Sequence, residues 1–277
     1  ARRLAALDQV LILTHRRPDG DTIGCASALC LALRQLGKTA WVLPNEDAHG
    51  LFTPYLEGVL APAGFLPQHV VAVDVASLGM LPDSAGAYKD RIDLVIDHHG
   101  SNSGFAVETL VEPEAAAAAE LLTSLIPAMG VELTPDIAAC LYTGLATDTG
   151  CFRFTNTTAA THRAAAALID AGADVESLNE RLFECRSHAR ITAERLALES
   201  LEFYYDDRCA LICLTWDQIR AAGVDGAELE DLTSLPRAIE GVEVGLTLRQ
   251  QPGGSYKISV RTTDEVDACA IAKRLGG

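Results

Sequence analysis

Short apolar runs alternating with helical patterns over the first two thirds of the chain predict an α/β fold: a doubly wound, mainly parallel sheet, followed by a smaller α+β domain. Two observations carry this. The runs Leu11-Ile12-Leu13, Val70-Val71-Ala72-Val73 and Leu94-Val95-Ile96 are continuously apolar, as strands buried on both faces are. Beyond about residue 187 the texture changes to two strand patterns around Gln251-Pro252-Gly253-Gly254, which read as a hairpin.

Residues 9–15 form the first expected strand. Arg16-Arg17-Pro18-Asp19-Gly20-Asp21 is a turn punctuated by Pro and Gly. Asp21 or Thr22 then caps a helix over 23–36 that ends at Gly37. Strands follow at 38–43, 70–75 and 93–98. A helix is expected over 113–129, driven by the alanine run 115–119, and another from 135 to about 146 with Thr134 as its cap. Residues 151–156 read as a short strand or turn, and 158–171 as a helix stopped by Gly172. The span 175–205 is rich in Leu, Arg and Glu without Pro or Gly, and reads as a helical connection. The expected division is a first domain at 1–187, a helical linker at 188–206 and a smaller domain at 207–277. In the smaller one a strand is expected at 209–215, helices at 216–221, 228–239 and 264–275, and hairpin strands at 242–250 and 256–262.

The net charge of −16 argues against binding long nucleic acid through a broad basic surface. It leaves room for a phosphorylated substrate, because bound cations reverse the field inside a cleft. No apolar run approaches a membrane span of roughly 20 residues. Eight scattered cysteines without a CxxC pair fit buried thiols kept reduced. Ala1-Arg2-Arg3-Leu4 leads into a strand pattern rather than a leader peptide, so the expected location is cytoplasmic.

Polar residues at the ends of these elements carry the chemistry. His15, Asp74 and Asp97-His98-His99 fall at carboxyl ends of strands, where ligands bind in such sheets. Asp19 and Asp21 lie in the first turn, and Asp148 closes a helix within Thr147-Asp148-Thr149-Gly150. Singly, Asp19 and Asp21 fit turn and cap roles, and Asp97 fits a hydrogen-bonding partner of a histidine. Jointly, carboxylates and imidazoles without a thiolate suit Mn²⁺ or Mg²⁺ and tolerate Fe²⁺, Co²⁺ or Zn²⁺. Two such ions can share a bridging hydroxide and clamp a phosphoryl oxygen, which points to phosphoester hydrolysis by direct attack of water.

The set Thr14-His15-Arg16-Arg17-Pro18-Asp19-Gly20-Asp21, a strand ending at Asp74, Asp97-His98-His99, and Thr147-Asp148-Thr149-Gly150 running into Phe152-Arg153-Phe154-Thr155-Asn156-Thr157 resembles the DHH phosphoesterase family in its NrnA-like branch. The tail resembles the DHH-associated substrate domain, with Ile258-Ser259-Val260-Arg261 at its arginine-bearing strand. The resemblance implies two ions, most readily Mn²⁺, with Mg²⁺ or Co²⁺ as substitutes. His15, Asp19 and Asp74 would hold one; Asp21, Asp74, His98 and Asp148 would hold the other. His99 would contact the scissile phosphate, Asp97 would orient the histidines, and Arg261 would grip a substrate phosphate.

The implied activity is hydrolysis of short oligoribonucleotides or dinucleotides to mononucleotides, and of 3′-phosphoadenosine-5′-phosphate to AMP. A pyrophosphatase or exopolyphosphatase on the same metal core, or a non-catalytic nucleotide-binding module, are the alternatives. The implied partners are short RNA or nucleotides, with no membrane and with a homodimer among the arrangements allowed. The family's glycine-rich loop closed by His would begin at Gly276-Gly277, so the second domain is expected to stop short of it.

Overall fold

The computed structural model describes residues 1–224, 229, 231–263 and 265–274. They divide into two compact units, Ala1–Cys185 and Arg186–Gly277. In the first, five strands, β1 (Val10–Leu13), β2 (Ala40–Val42), β3 (His69–Val73), β4 (Leu94–Asp97) and β5 (Glu108–Val111), make one sheet in the order β2-β1-β3-β4-β5. Every neighbouring pair is parallel, so all five carboxyl ends share one edge. The chain moves from β1 out to β2 and back to β3, which puts the reversal of strand order between β1 and β3. Ligands gather in the crevice at such a switch point.

The period-2 alternation of these strands feeds two cores. Ile12, Val71, Val73 and Ile96 face one side, against the helices α2 (Gly20–Gln35), α3 (Ala118–Ala128), α4 (Pro135–Asp148) and α5 (Ala159–Asp170). Leu11, Leu13, Val70, Ala72 and Val95 face the other, where Leu81, Ala85 and Ile92 cover them. The second face is thus covered mainly by the 3₁₀ turns Leu78–Met80 and Asp83–Tyr88 and their flanking loops rather than by full helices. Helix α2 is buried along almost its whole length, and it packs most heavily on α4.

Several expectations shift. Residues 2–6 form a helical turn, α1 (Arg2–Ala6), before β1. Helix α2 starts at Gly20, because the Asp19 side chain accepts from the backbone N–H groups of Asp21 and Thr22. Asp19, not Asp21 or Thr22, is therefore its cap. Helix α3 starts at Ala118 rather than 113, since Ala117 is extended (φ −160°) and propensity in the alanine run yields to tertiary contacts described below. Strand β5 has no apolar signature, being a partly exposed edge opened by Glu108.

The connection at 175–205 is not one helix. It contains α6 (Val175–Asn179), a π-helical turn Glu180–Glu184, α7 (His188–Glu199) and β6 (Glu202–Tyr204). The stretch 188–206 belongs to the second unit, where Ala193 and Ala197 of α7 are core residues. There β6, β7 (Cys209–Leu214), β8 (Val244–Gln250) and β9 (Tyr256–Thr262) form a mixed sheet in that order, antiparallel except for β7–β8. Helix α8 (Trp216–Ala222) and a later helix, α9 (Ala268–Arg274), also belong to this unit among the described residues. Of the helix expected at 228–239, residues 228 and 230 lie outside the described residues; Asp231–Ser234 and Pro236–Ala238 are 3₁₀ turns. Asp264, Leu275 and the Gly276-Gly277 pair also lie outside them.

The β6–β7 turn holds Tyr205, Asp206 and Asp207 at φ 56°, 53° and 64°, three left-handed side-chain-bearing residues in succession. Asp tolerates this region, but a bulky residue such as Tyr205 is strained there and glycine is not. Tyr205→Gly is expected to raise unfolding free energy by about 0.5–1 kcal/mol, the relieved strain less the entropy cost of glycine, read as a higher urea midpoint at unchanged m-value.

Candidate metal centre

Three strand ends and two helix ends converge at the switch point. His15 follows β1, Asp74 follows β3, and Asp97 closes β4 ahead of His98 and His99. Asp19 and Asp21 sit at the start of α2, and Asp148 is the last residue of α4. Thr22 ties the helix to the sheet, its hydroxyl donating to the Val73 carbonyl at 2.9 Å.

Asp74 lies at the middle. It is 2% exposed, and its two oxygens face different neighbours: Oδ2 is 3.5 Å from His15 Nε2, and Oδ1 is 3.5 Å from His98 Nε2. Around Oδ2, His15 Nε2 also lies 3.5 Å from Asp19 Oδ1. Around Oδ1, His98 Nε2 lies 3.2 Å from Asp148 Oδ2, and the Asp21 carboxylate is in the same cluster. Two candidate ligand groups thus meet at one carboxylate. Asp74 itself is left-handed (φ 56°), a conformation of a kind that collects at functional sites.

The histidine tautomers agree with a cation. His15 Nδ1 lies 2.8 Å from the Arg16 carbonyl and His98 Nδ1 lies 3.2 Å from the Ala115 carbonyl. A carbonyl can only accept, so both Nδ1 atoms donate and both Nε2 atoms turn to the acids. His98 Nε2 and Asp74 Oδ1 are buried without a hydrogen-bond partner. Buried polar atoms left so are costly unless an ion engages them. The donor set of imidazole and carboxylate, with the nearby Cys25 thiol donating to Asp21 Oδ1 at 3.3 Å, fits a hard or borderline divalent cation. Burial and the Asp21 and Asp74 charges push that thiol well up, which keeps it protonated.

Asp21 does a second job. Its Oδ2 accepts from Ala118 N–H at 2.7 Å and its Oδ1 from Ala119 N–H at 3.0 Å, so it caps α3 from across the core. A carboxylate at a helix N-terminus is favoured by the helix dipole. This contact sets where α3 begins. Gly144 of α4 makes room for it: a Cβ there would lie 2.6 Å from Asp21 Oδ1.

Asp97 is different in kind. It is fully buried and saturated, accepting from His98 N–H (2.8 Å), His99 N–H (3.2 Å), His99 Nδ1 (2.7 Å) and the Asn102 amide (2.7 Å). Burial raises its pKa, yet the His99 and Asn102 bonds outweigh that and hold it below the usual range. With Nδ1 spent on Asp97, His99 turns Nε2 away from it. Asn102 escapes sequence reading; the only hint is an amide side chain three residues past His99. It also donates to the Val75 carbonyl at 3.1 Å, so it locks Asp97 to the loop after β3.

Arg261, the remaining expected residue, is exposed on β9 in the second unit, opposite Gly245. The register also sets Thr247 opposite Ser259 and Arg249 opposite Lys257, so these side chains share one face of that sheet with Arg261.

The electrostatics follow from crowding. Burial opposes charge on His15, but Asp19 and Asp74 push it up to about 10; burial likewise opposes charge on His98, but Asp148, Asp21 and Asp74 push it to about 9. Burial and the charges of Asp74 and Asp148 drive Asp21 well up. The cluster holds positive charge either as protons on the imidazoles or as cations in their place.

Residues 9–145 match the profile of the DHH family, N-terminal domain. The chain is 35% identical over 271 residues, 97% of its length and 80% of the relative's, to the bifunctional oligoribonuclease and PAP phosphatase NrnA of Thermus thermophilus. It is 24% identical over 99% of its length, and 88% of the relative's, to the probable bifunctional oligoribonuclease and PAP phosphatase NrnA of Streptococcus mutans. Among solved structures, an exopolyphosphatase-related protein from Bacteroides fragilis superposes with TM-score 0.84 at 24% identity, over 95% of this chain and 81% of that one.

In chelator, thermal stability is expected to fall as pH rises from about 6.5 to about 10, where the native state keeps protons on His15 and His98 that the unfolded chain has released. Saturating divalent cation should flatten the fall; a melting temperature that rises across this window would contradict it. Asn102→Ala is expected to lower metal affinity or turnover about 10- to 100-fold, measured by metal titration and steady-state kinetics, with the far-UV spectrum retained.

Proposed function

The chain belongs to the DHH family, and from that premise we propose that it is a phosphoesterase using two divalent cations, Mn²⁺ foremost, to hydrolyse short oligoribonucleotides and dinucleotides to mononucleotides and 3′-phosphoadenosine-5′-phosphate to AMP. The observation that carries it is Asp74, whose two oxygens face two separate ligand groups. His15, Asp19 and Asp74 Oδ2 would hold one cation; Asp74 Oδ1, Asp21, His98 and Asp148 would hold the other. When bound, the pair supplies Lewis acidity, lowering the pKa of water and offsetting charge on the phosphoryl oxygens.

The protein's own groups do the rest. Asp97 keeps Nδ1 of His99 protonated and raises its pKa, so His99 can offer Nε2–H to an oxygen of the scissile phosphate. His15 and His98 are held by main-chain carbonyls, which fixes the direction of each lone pair. Arg261 would grip a substrate phosphate by a guanidinium fork, and its exposure beside the Lys257 side chain on the same sheet face supports that reading. The acidic chain disfavours long polyanions, in keeping with short substrates. No helix among the described residues is long and apolar enough to cross a membrane, and a cytoplasmic setting is proposed with the substrate. The pyrophosphatase reading has likeness of fold alone behind it, 18% identity at TM-score 0.53 to a putative family II inorganic pyrophosphatase of Methanococcus jannaschii.

With Mn²⁺ and a labelled diribonucleotide, mononucleotide release is expected, and Asp74→Ala should reduce it at least about 10³-fold, since it removes a ligand of both cations. Faster phosphate release from pyrophosphate than cleavage of the dinucleotide would overturn the substrate assignment.

A further inference from the structure

The segment after Asp148 has no part in the chemistry above, yet it is held by a dense set of hydrogen bonds. Gly150, Cys151 and Phe152 are left-handed in succession (φ 55°, 59°, 62°). Thr149 braces them: its hydroxyl donates to the Leu145 carbonyl at 2.6 Å and accepts from Phe152 N–H, while its carbonyl accepts from Arg153 and Phe154 N–H. Arg153 Nε donates to the Gly150 carbonyl at 2.6 Å, and the Asn156 amide donates to the carbonyls of Asp148 and Ala116, both at 3.1 Å. The turn is therefore fixed to the backbone of a candidate metal ligand.

Two phenylalanines come out of it with opposite fates. Phe152 is an anchor, its ring 6.0 Å from Tyr142 and stacked 5.4 Å from His162 at 25°. Phe154 points outward and is 56% exposed. Its ring lies against the backbone of Gly150; a Cβ there would sit 2.3 Å from the ring's Cζ. An exposed ring alone would mean little. This ring rests on the residue two past Asp148, and its backbone is pinned, so it is presented in one place with one face covered and one open.

We infer that Phe154 is a base-stacking platform, which takes the nucleobase next to the phosphate handled at the Asp74 centre. This rests on the nucleotide reading above. An aromatic face accepts any base, so the platform gives affinity for nucleotides without sequence preference. It separates nucleotides from inorganic polyphosphates, which have nothing to stack.

Steady-state assays with Mn²⁺ test it. Phe154→Ala is expected to raise KM for a diribonucleotide about ten-fold while kcat holds. It should leave KM unchanged for the same molecule without its bases, and Phe154→Trp should restore the wild-type value. An equal rise on both substrates, or none on either, overturns the platform. If the wild type turns over neither substrate, the hydrolase reading is what fails. Calorimetric titration of AMP onto the Mn²⁺-loaded protein then decides the platform alone: weaker binding by Phe154→Ala supports it, and unchanged binding overturns it.

Discussion

Like charges held together are the constraint on which the first unit depends. Asp19, Asp21, Asp74 and Asp148 meet around two imidazoles in a largely buried space, where each carboxylate raises the free energy of its neighbours. The acids and imidazoles come from five rigid ends: β1, β3, β4, the start of α2, which supplies both Asp19 and Asp21, and the end of α4. A parallel sheet provides this because its carboxyl ends share an edge. The fold spends packing energy to assemble a cluster that only positive charge can make stable, and Asp21 couples the two by fastening α3 with the same carboxylate.

Residue type alone does not separate scaffold from ligand here. Asp74 and Asp97 are both buried at strand ends, on strands consecutive in sequence and adjacent in the sheet. Asp97 has its oxygens filled by four donors, whereas Asp74 has an oxygen with no hydrogen-bond partner. A carboxylate has about four acceptor sites, so four N–H donors leave Asp97 little to offer a cation, whereas the three donors on Asp21 leave it room. The same inventory separates His98, with a bare Nε2, from His99, whose nearer nitrogen is already bonded to Asp97.

Much of this was legible in the sequence where hydrophobicity decides. The continuous apolar runs of β1, β3 and β4 announce strands buried on both faces, and their polar termini mark the edge where a site forms. Legibility failed where tertiary contacts outweigh local preference. The alanine run has helical propensity from residue 115, but Asp21, nearly a hundred residues earlier, dictates a start at Ala118. Strand β5 pairs through its backbone with little apolar pattern, and β6 hides inside a stretch that reads as helix. Asn102 could not be singled out, because one amide gains meaning only when its acceptors are known. Phe152 and Phe154 read alike in sequence; the left-handed turn that Phe152 closes sends one inward and one out.

The left-handed backbone at Asp74 bears on how a copy of such a protein can decay. Once selection for turnover lapses, substitutions there are filtered by φ rather than by charge. Asparagine and glycine tolerate a φ of 56°, so they can enter with the sheet intact. β-Branched residues cannot do so without disturbing the junction of β3 with the following loop. Loss of the cluster's shared carboxylate would also relieve its neighbours of repulsion, so the first inactivating step can leave a more stable protein. A silent descendant is then expected to be a well-folded one, and its signature is a small or amide side chain at this one position.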